Sequence, residues 1–459
     1  MADWSEIPSV VFIEILQYLH RKDIISSCST CRQWRSHLFN CRLWRSVSLA
    51  FINSSDDEVS GLKFIIDQIG RHIRELTLRF SLTVAHFTDD MKSVDRVVEV
   101  LKLVPAKQIR KISVQCRTPA VFDDLYALFD TEGKDHNRNY WLPNENNGVG
   151  SYLNGYYAIL GNDGESRFVD ALLRLVTDSQ SLTEFSLGGL RSCLCRAPLL
   201  VQRLAKCHAA MLEKLHLASV SGMQIITKVN TEHCYNIGNL QAFTNLSELS
   251  LDYIGGQLSE SLLDSLARPG VHPLRLLRVF VATDNHVYEH VADLARANPI
   301  RDDAWACLRA HSPALRVHVT FFDVDGCHGD DASILQPSAP VSALAFVFAS
   351  PFRGSAGSSS SALGFARQHY AATLRSLCVL RDVEREPAQY RDDDEEDELV
   401  LLAWKCKNLE SFTLIGYEFA QEDIFAIARL LKSKLKHFCI PQCCIATTQE
   451  DGVIEIVEF

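Results

Sequence analysis

The sequence contains no apolar run of the about 18 to 20 residues that a membrane-spanning helix needs. Its first residues also lack the basic stretch and apolar core of a secretory signal. The fifteen cysteines are odd in number and mostly lie in apolar stretches, where a thiol acts as a small hydrophobic side chain. We therefore expect that the protein does not associate with membranes. The expected location is a reducing compartment, the cytoplasm and also the nucleus.

Familiar catalytic motifs are missing too. The chain has no H-E-x-x-H, G-x-x-x-x-G-K-[ST] or G-x-S-x-G sequence, which leaves metalloprotease, P-loop and serine-hydrolase functions without a motif. Cys28 and Cys31 have metal-ligand spacing, but no second Cys or His pair follows at zinc-finger distance. Cys193 and Cys195 have no His close in sequence that could activate a thiolate. A His that folding brings close to them is the alternative. We predict a non-enzymatic protein without cofactor or metal.

Positive charge is in short supply. The 459 residues carry a formal net charge of −11, which argues against broad nucleic-acid binding. A local basic patch is still compatible with this net charge. Residues 392–398 are all acidic, and this run is either a solvated loop or an element that binds a basic partner.

Apolar residues recur at helical spacing near the N-terminus. Val11, Ile15 and Leu19 are four positions apart, and Leu16 is the next residue round the helix axis from Ile15. This spacing predicts a helix beginning after Pro8. We expect Ser9 to cap this helix.

Two more short helices are predicted before residue 45. Asp23 is the expected cap of a helix carrying Ile24, Ile25 and Cys28, and a third helix would hold Cys31, Trp34 and Leu38. Three helices in so few residues are near the lower limit for independent folding. The block should therefore pack on a partner protein or, as the alternative, on its own chain.

The same block resembles an F-box. The matching positions are Trp4, Ile7, Pro8, Val11, Ile15, Leu16, Leu19, Asp23-Ile24, Cys31-Arg32, Trp34 and Leu43-Trp44, with Ile7 where the family usually has Leu. The resemblance implies docking onto the Skp-type adaptor of a cullin ubiquitin ligase. The residues expected to form that contact, or to support it from beneath, are Ile7, Pro8, Val11, Ile15, Leu16, Leu19, Ile24 and Trp34.

A phrase of the form Leu-x-x-Leu-x-Leu then recurs eleven times. The matches are Ile73/Leu76/Leu78, Ile109/Ile112/Val114, Leu182/Phe185/Leu187, Leu212/Leu215/Leu217, Leu246/Leu249/Leu251, Leu274/Leu277/Val279, Ala314/Val317/Val319, Val341/Leu344/Phe346, Leu374/Leu377/Val379, Leu409/Phe412/Leu414 and Leu435/Phe438/Ile440. Helix-like stretches such as 168–176 and 423–431 separate them. This alternation is typical of leucine-rich repeats, whose units bury their apolar faces by stacking.

We therefore predict an α/β fold: an N-terminal three-helix F-box, residues 1–49, followed by an irregular leucine-rich-repeat solenoid or horseshoe, residues 50–459. A doubly wound parallel sheet is the alternative. Inserted loops are expected near 131–165, 353–361 and 386–398.

Residues 399–431 and the end of the F-box-like block resemble F-box receptors with divergent leucine-rich repeats. The resemblance implies the substrate-recognition subunit of an SCF-type (Skp-cullin-F-box) E3 ubiquitin ligase, which binds an unidentified protein substrate through its repeats. The alternative is a repeat-domain interaction scaffold without ubiquitylation. Strand residues between the inward positions, such as Ser247, Glu248 and Ser250, are the expected places for substrate contact.

Overall fold

A computed structural model describes most of the predicted helix and strand segments. The described residues are 7–19, 21–51, 56–81, 90–117, 162–188, 197–218, 240–253, 258–282, 296, 299–322, 334–347, 362–380, 388–389, 398–432 and 434–446. They fall into two compact units, the first reaching Leu246 and the second beginning at Ser247. Among the helices so described, none combines the length and the apolar character of a membrane span.

Three short helices open the first unit: α1 (Ser9–Gln17), α2 (Arg21–Ser29) and α3 (Arg32–Arg35). The predicted caps were wrong. Pro8 takes the cap position of α1, because its fixed backbone suits a helix start, and no side chain caps the helix. Asp23 lies within the first turn of α2, where its charge favours the helix dipole without capping it.

The described residues of the first unit also form five parallel strands and four longer helices. The strands are β1 (Ser46–Phe51), β2 (Glu75–Ser81), β3 (Lys111–Arg117), β4 (Glu184–Gly188) and β5 (Lys214–His216), and the helices are α4 (Asp56–Ile69), α5 (Asp90–Leu103), α6 (Asn162–Asp178) and α7 (Ala197–His208). Each strand pairs with the next strand of this unit in the sequence. Short 3-10 helices lie at Gly70–His72, Ala106–Gln108 and Leu240–Ala242.

The second unit repeats this arrangement. Its elements are β6 (Glu248–Asp252), α8 (Glu260–Leu266), β7 (Leu276–Ala282), α9 (Asp302–His311), β8 (Arg316–Phe322), β9 (Val341–Val347), α10 (Ala362–His369), β10 (Ser376–Leu380), β11 (Ala388–Gln389), α11 (Glu398–Lys405), β12 (Ser411–Ile415), β13 (Tyr417–Ala420), α12 (Gln421–Leu431), β14 (His437–Cys439), a 3-10 helix (Gln442–Cys444) and β15 (Ile445–Ala446). The main sheet has the order β6-β7-β8-β9-β10-β12-β14, and β11, β13 and β15 form a small second sheet.

The predicted phrases set the register of these strands. Leu76, Ile112, Phe185 and Leu215 face one another across β2 to β5, and each is fully buried. Successive helices within each unit contact one another; for example, α4 contacts α5, and α5 contacts α6. These helices therefore lie on one side of the sheet. A doubly wound sheet would place helices on both sides. The fold is therefore mixed α/β with twelve parallel strands in the two main arrays, as predicted for a repeat solenoid.

The first strand was not predicted. Trp44, Val47 and Leu49 are buried and repeat the Leu-x-x-Leu-x-Leu spacing, with Val47 opposite Leu76 and Leu49 opposite Leu78. Trp44 thus belongs both to the F-box pattern and to the phrase of the first strand. The last tryptophan of the N-terminal block thus begins the first repeat.

Two details of the predicted phrases need correction. Ala314 is exposed and Leu315 is buried in its place, although Val317 keeps the predicted register opposite Leu277. Between β8 and β9 the register shifts at Val317 and His318, which places Val319 opposite Leu344. An extra residue in one strand is thus accommodated as an irregularity of the ladder.

The expected inserted loops lie almost wholly outside the described residues. At their described edges, α6 begins at Asn162, β11 covers 388–389 and α11 begins at Glu398. Their conformation stays a prediction.

Candidate protein-interaction surface

The three N-terminal helices enclose a small core of their own. Phe12, Leu16, Ile24 and Cys28 are buried together, and Ile7, Trp34, Leu38 and Leu43 pack against them partly exposed. The rings of Phe12 and Trp34 lie 4.5 Å apart between centroids. This core fixes the orientation of α1 on the rest of the block.

A second apolar surface, on α1 and the two residues after it, lies beside that core. Val11, Ile15 and Leu19 expose 49%, 42% and 37% of their surface, and Tyr18 exposes 82%. Val11 and Ile15 project from one side of α1, next to the side that carries Phe12 and Leu16, and Tyr18 and Leu19 follow directly after the helix ends at Gln17. We call Val11, Ile15, Tyr18 and Leu19 the exposed row.

The eight residues predicted for adaptor contact thus occupy two layers. Pro8, Val11, Ile15 and Leu19 are exposed, Leu16 and Ile24 are buried, and Ile7 and Trp34 are partly buried. The sequence pattern did not separate these layers. It also missed Phe12 in the core and Tyr18 in the exposed row, although the spacing from Phe12 to Leu16 is itself one helical turn.

The Cys-x-x-Cys sequence has a structural role. Cys31 caps α3, because its Sγ accepts a hydrogen bond from the Trp34 backbone N–H at 3.4 Å. Cys28 is buried in the core, and that burial raises the pKa of its thiol. Within the described part of the chain, no group of three His, Cys, Asp or Glu side chains could hold a metal ion.

Residues 4–50 match the family model described as F-box-like. The chain therefore has an N-terminal F-box-like domain. Its core and its exposed row are formed by the helices within the matched range.

Similarity to known proteins extends beyond the F-box-like domain. The chain is 24% identical to F-box only protein 33 of Homo sapiens over 469 residues, covering 94% of this chain and 75% of that protein. It is 22% identical to the Mus musculus F-box only protein 33 over 464 residues, with the same coverage. Human F-box/LRR-repeat protein 8 is 24% identical over 383 residues, covering 83% of this chain and 82% of that protein. These similarities cover most of the chain and so extend beyond residues 4–50.

The strand face opposite the packed leucines is the second candidate surface. Glu248 is partly exposed and accepts a hydrogen bond from Arg278 Nη1 at 3.5 Å. Arg278 lies opposite His318 of β8. Ser250 is only 4% exposed, so the expectation that it is available for substrate contact was wrong. A short hydroxyl side chain on a packed strand is easily covered by its longer neighbours.

His318 has an unusual environment on this face. Burial, and after it the positive charges of Arg278 and Arg316, lower the pKa of its imidazole to about 3, while Glu248 acts in the opposite direction. Nδ1 of this ring is buried without a hydrogen-bond partner in the described part of the chain. The ring is therefore neutral at physiological pH.

This environment predicts a pH effect on stability. An unfolded His takes a proton near pH 6.5, while folded His318 stays neutral down to about pH 3. The unfolded state then binds more protons in this window, so the free energy of unfolding falls as pH falls from about 6.5 towards 3. His318→Gln should make that fall less steep, and His437→Gln, at an exposed position, should not. Urea unfolding of the three proteins between pH 7 and pH 4 tests this, and parallel curves would contradict it.

Proposed function

We propose that this chain is the substrate-recognition subunit of an SCF-type E3 ubiquitin ligase. The exposed row carries the proposal: Val11, Ile15, Tyr18 and Leu19 form an apolar strip on the F-box-like domain that its own core leaves uncovered. Exposed apolar strips on small domains mark sites of protein contact. A Skp-type adaptor, and through it a cullin, is the partner that the F-box-like match favours.

The eight predicted contact residues take different roles in this proposal. Pro8, Val11, Ile15 and Leu19 would touch the adaptor, whereas Leu16, Ile24, Ile7 and Trp34 would hold the exposed row in position. Substituting the first group should weaken binding directly. Substituting the second group should act through the stability of the domain.

The repeat arrays would present the substrate. In this division the F-box-like helices dock on the adaptor, and the repeats, which begin at Trp44, bind a protein substrate. Neither nucleic acid, nor a membrane, nor a catalytic residue of this chain takes part. Holding a substrate near a ubiquitin-charged enzyme raises its effective concentration, so the receptor need not take part in the chemistry.

Affinity capture tests this proposal. We expect the full chain to recover an adaptor and a cullin, and a chain lacking residues 1–42 to lose both while keeping its substrate. The deletion stops before Trp44, because Trp44, Val47 and Leu49 belong to the first repeat and their loss would open the sheet at β1. Depletion of the chain should then raise the level of the shared partner.

Three outcomes of that experiment count against the proposal. Failure of the full chain to recover any adaptor would remove the ligase role. Recovery of adaptor without any change in partner level would favour the scaffold function. Adaptor binding by the shortened chain would place the contact outside the F-box-like domain.

A further inference from the structure

Three arginines stand side by side where the first strands of the sheet begin. Arg45, Arg74 and Arg110 each come two positions before the central phrase residue of β1, β2 and β3. The backbone N–H of Arg74 donates to the carbonyl of Arg45 at 2.8 Å, and that of Arg110 donates to the carbonyl of Arg74 at 2.6 Å. Since neighbouring strands lie about 4.8 Å apart, the three residues span about 10 Å. We call them the arginine row.

Further positive charge surrounds the arginine row. The segments that lead into the three strands, residues 42–46, 70–75 and 106–111, contain seven Lys or Arg residues and one acid. This concentration is opposite in sign to the net charge of the whole chain, which is −11. Its effect is felt at His72, where burial, and after it the charges of Arg71 and Arg74, lower the pKa of the imidazole. The surface around the row is therefore electropositive.

The arginine row is not neutralised by acids of the described segments. In that part of the chain no ion pair joins a carboxylate to any of its three guanidinium groups. Arg45 and Arg110 are exposed, and Arg74 is partly exposed. Nη1 of Arg74 donates to Oε1 of Gln108, which is a neutral partner. The charges of the row are thus available to an acidic partner.

The same strand position in the second unit shows what such a partner does. There Nη1 of Arg375 donates to Oε1 of Glu410 at 2.8 Å, and Nζ of Lys436 donates to Oε2 of Glu410 at 2.6 Å. One carboxylate between two strands thus binds the cations on both sides of it. The first unit has an arginine, Arg74, where this arrangement has its acid.

The dimensions of the row favour a short peptide segment. An extended peptide rises about 3.3 Å per residue, so a span of about 10 Å corresponds to about three residues. Guanidinium groups bind carboxylates through paired, charge-assisted hydrogen bonds. A nucleic acid would instead need a long basic track, and the net charge of −11 would repel it.

We propose that the arginine row binds a short acidic segment of a partner protein. The Asp or Glu carboxylates of that segment would lie between the arginines, as Glu410 lies between Arg375 and Lys436. This interaction surface is separate from the exposed row of the F-box-like domain and does not depend on the ligase role. Its test uses no adaptor, so failure of one proposal leaves the other intact.

Fluorescence anisotropy of a labelled glutamate peptide, titrated with the full chain, tests the proposal. The double variant Arg45→Gln/Arg110→Gln should bind the peptide at least about fivefold more weakly than the unmodified chain, because two exposed ion pairs are lost. Arg375→Gln/Lys436→Gln is the matched control, since it removes two positive charges at the same strand position where Glu410 already binds them. This control should bind the peptide as the unmodified chain does.

Salt provides a second measurement on the unmodified chain. Raising the ionic strength from about 0.01 M to about 0.15 M should weaken binding of the glutamate peptide, since the screening length falls from about 30 Å to about 8 Å. A lysine peptide of the same length should not bind at either ionic strength.

Several results would contradict the proposal. One is the absence of glutamate-peptide binding by the unmodified chain at low salt, and another is equal weakening in the two double variants. Tighter binding of a single-stranded RNA than of the peptide would assign the row to nucleic acid. Peptide binding that appears only after residues 392–398 are changed to serine would assign it to the acidic run of this chain.

Discussion

Ile15→Glu should weaken adaptor binding at least about 100-fold while the chain stays folded. Ile15 lies at the centre of the exposed row and is 42% exposed, so a carboxylate there is solvated in the unbound protein. In the complex the same carboxylate would be buried against an apolar surface without a partner, and such burial costs several kcal/mol. A loss of about 2.7 kcal/mol in binding free energy already corresponds to 100-fold in Kd.

The measurement is a titration of each purified variant with a purified Skp-type adaptor. Gln17→Glu is the matched control, because it adds the same charge to an exposed position on the opposite side of α1. We expect near-normal binding from this control and unchanged thermal unfolding in both variants. Normal binding by Ile15→Glu would show that the exposed row is not the contact, and equal weakening by both variants would indicate a general charge effect.

The repeat strands were largely predictable from sequence because stacking imposes a strict local pattern. An inward residue such as Phe185 must meet an apolar residue in both neighbouring strands, so every unit repeats the same spacing. The spacing did not predict the irregular positions. Ala314 fitted the pattern but is exposed, and the register shift at Val317 depends on how β8 and β9 pair rather than on either strand alone.

The sequence pattern indicated most of the apolar residues around α1 but neither Phe12 and Tyr18 nor the division into two layers. Helical spacing identified Val11, Ile15 and Leu16 without showing which side of α1 the small core would cover. That choice depends on Ile24 and Trp34, which contact the helix from elsewhere in the chain. The caps failed for a related reason: capping preference is a weak local tendency, and at Ser9 the preceding proline already defines the helix start.

Strand β9 shows how the arrays obtain their stability. All seven residues, Val341–Val347, are buried, which is typical of a strand covered on both faces. Phe346 is fully buried and its ring stacks on that of Phe321 at 5.2 Å, with an interplanar angle of 6°. This pair lies in the interior of the second unit, so its loss cannot be relieved by contact with water.

Phe346→Ala should therefore lower the free energy of unfolding by about 3 to 5 kcal/mol, since a buried ring leaves a cavity that its neighbours only partly fill. Phe64→Ala provides a matched control: the same substitution on α4, where the ring is 60% exposed, should cost less than about 1 kcal/mol. Urea unfolding followed by circular dichroism gives both values. The double variant with Phe321→Ala should cost less than the sum of the two single changes by about 0.5 to 1.5 kcal/mol, because the stacking contact is lost only once. Similar losses for Phe346→Ala and Phe64→Ala would contradict the burial of β9 and, with it, the register that places Phe346 opposite Phe321.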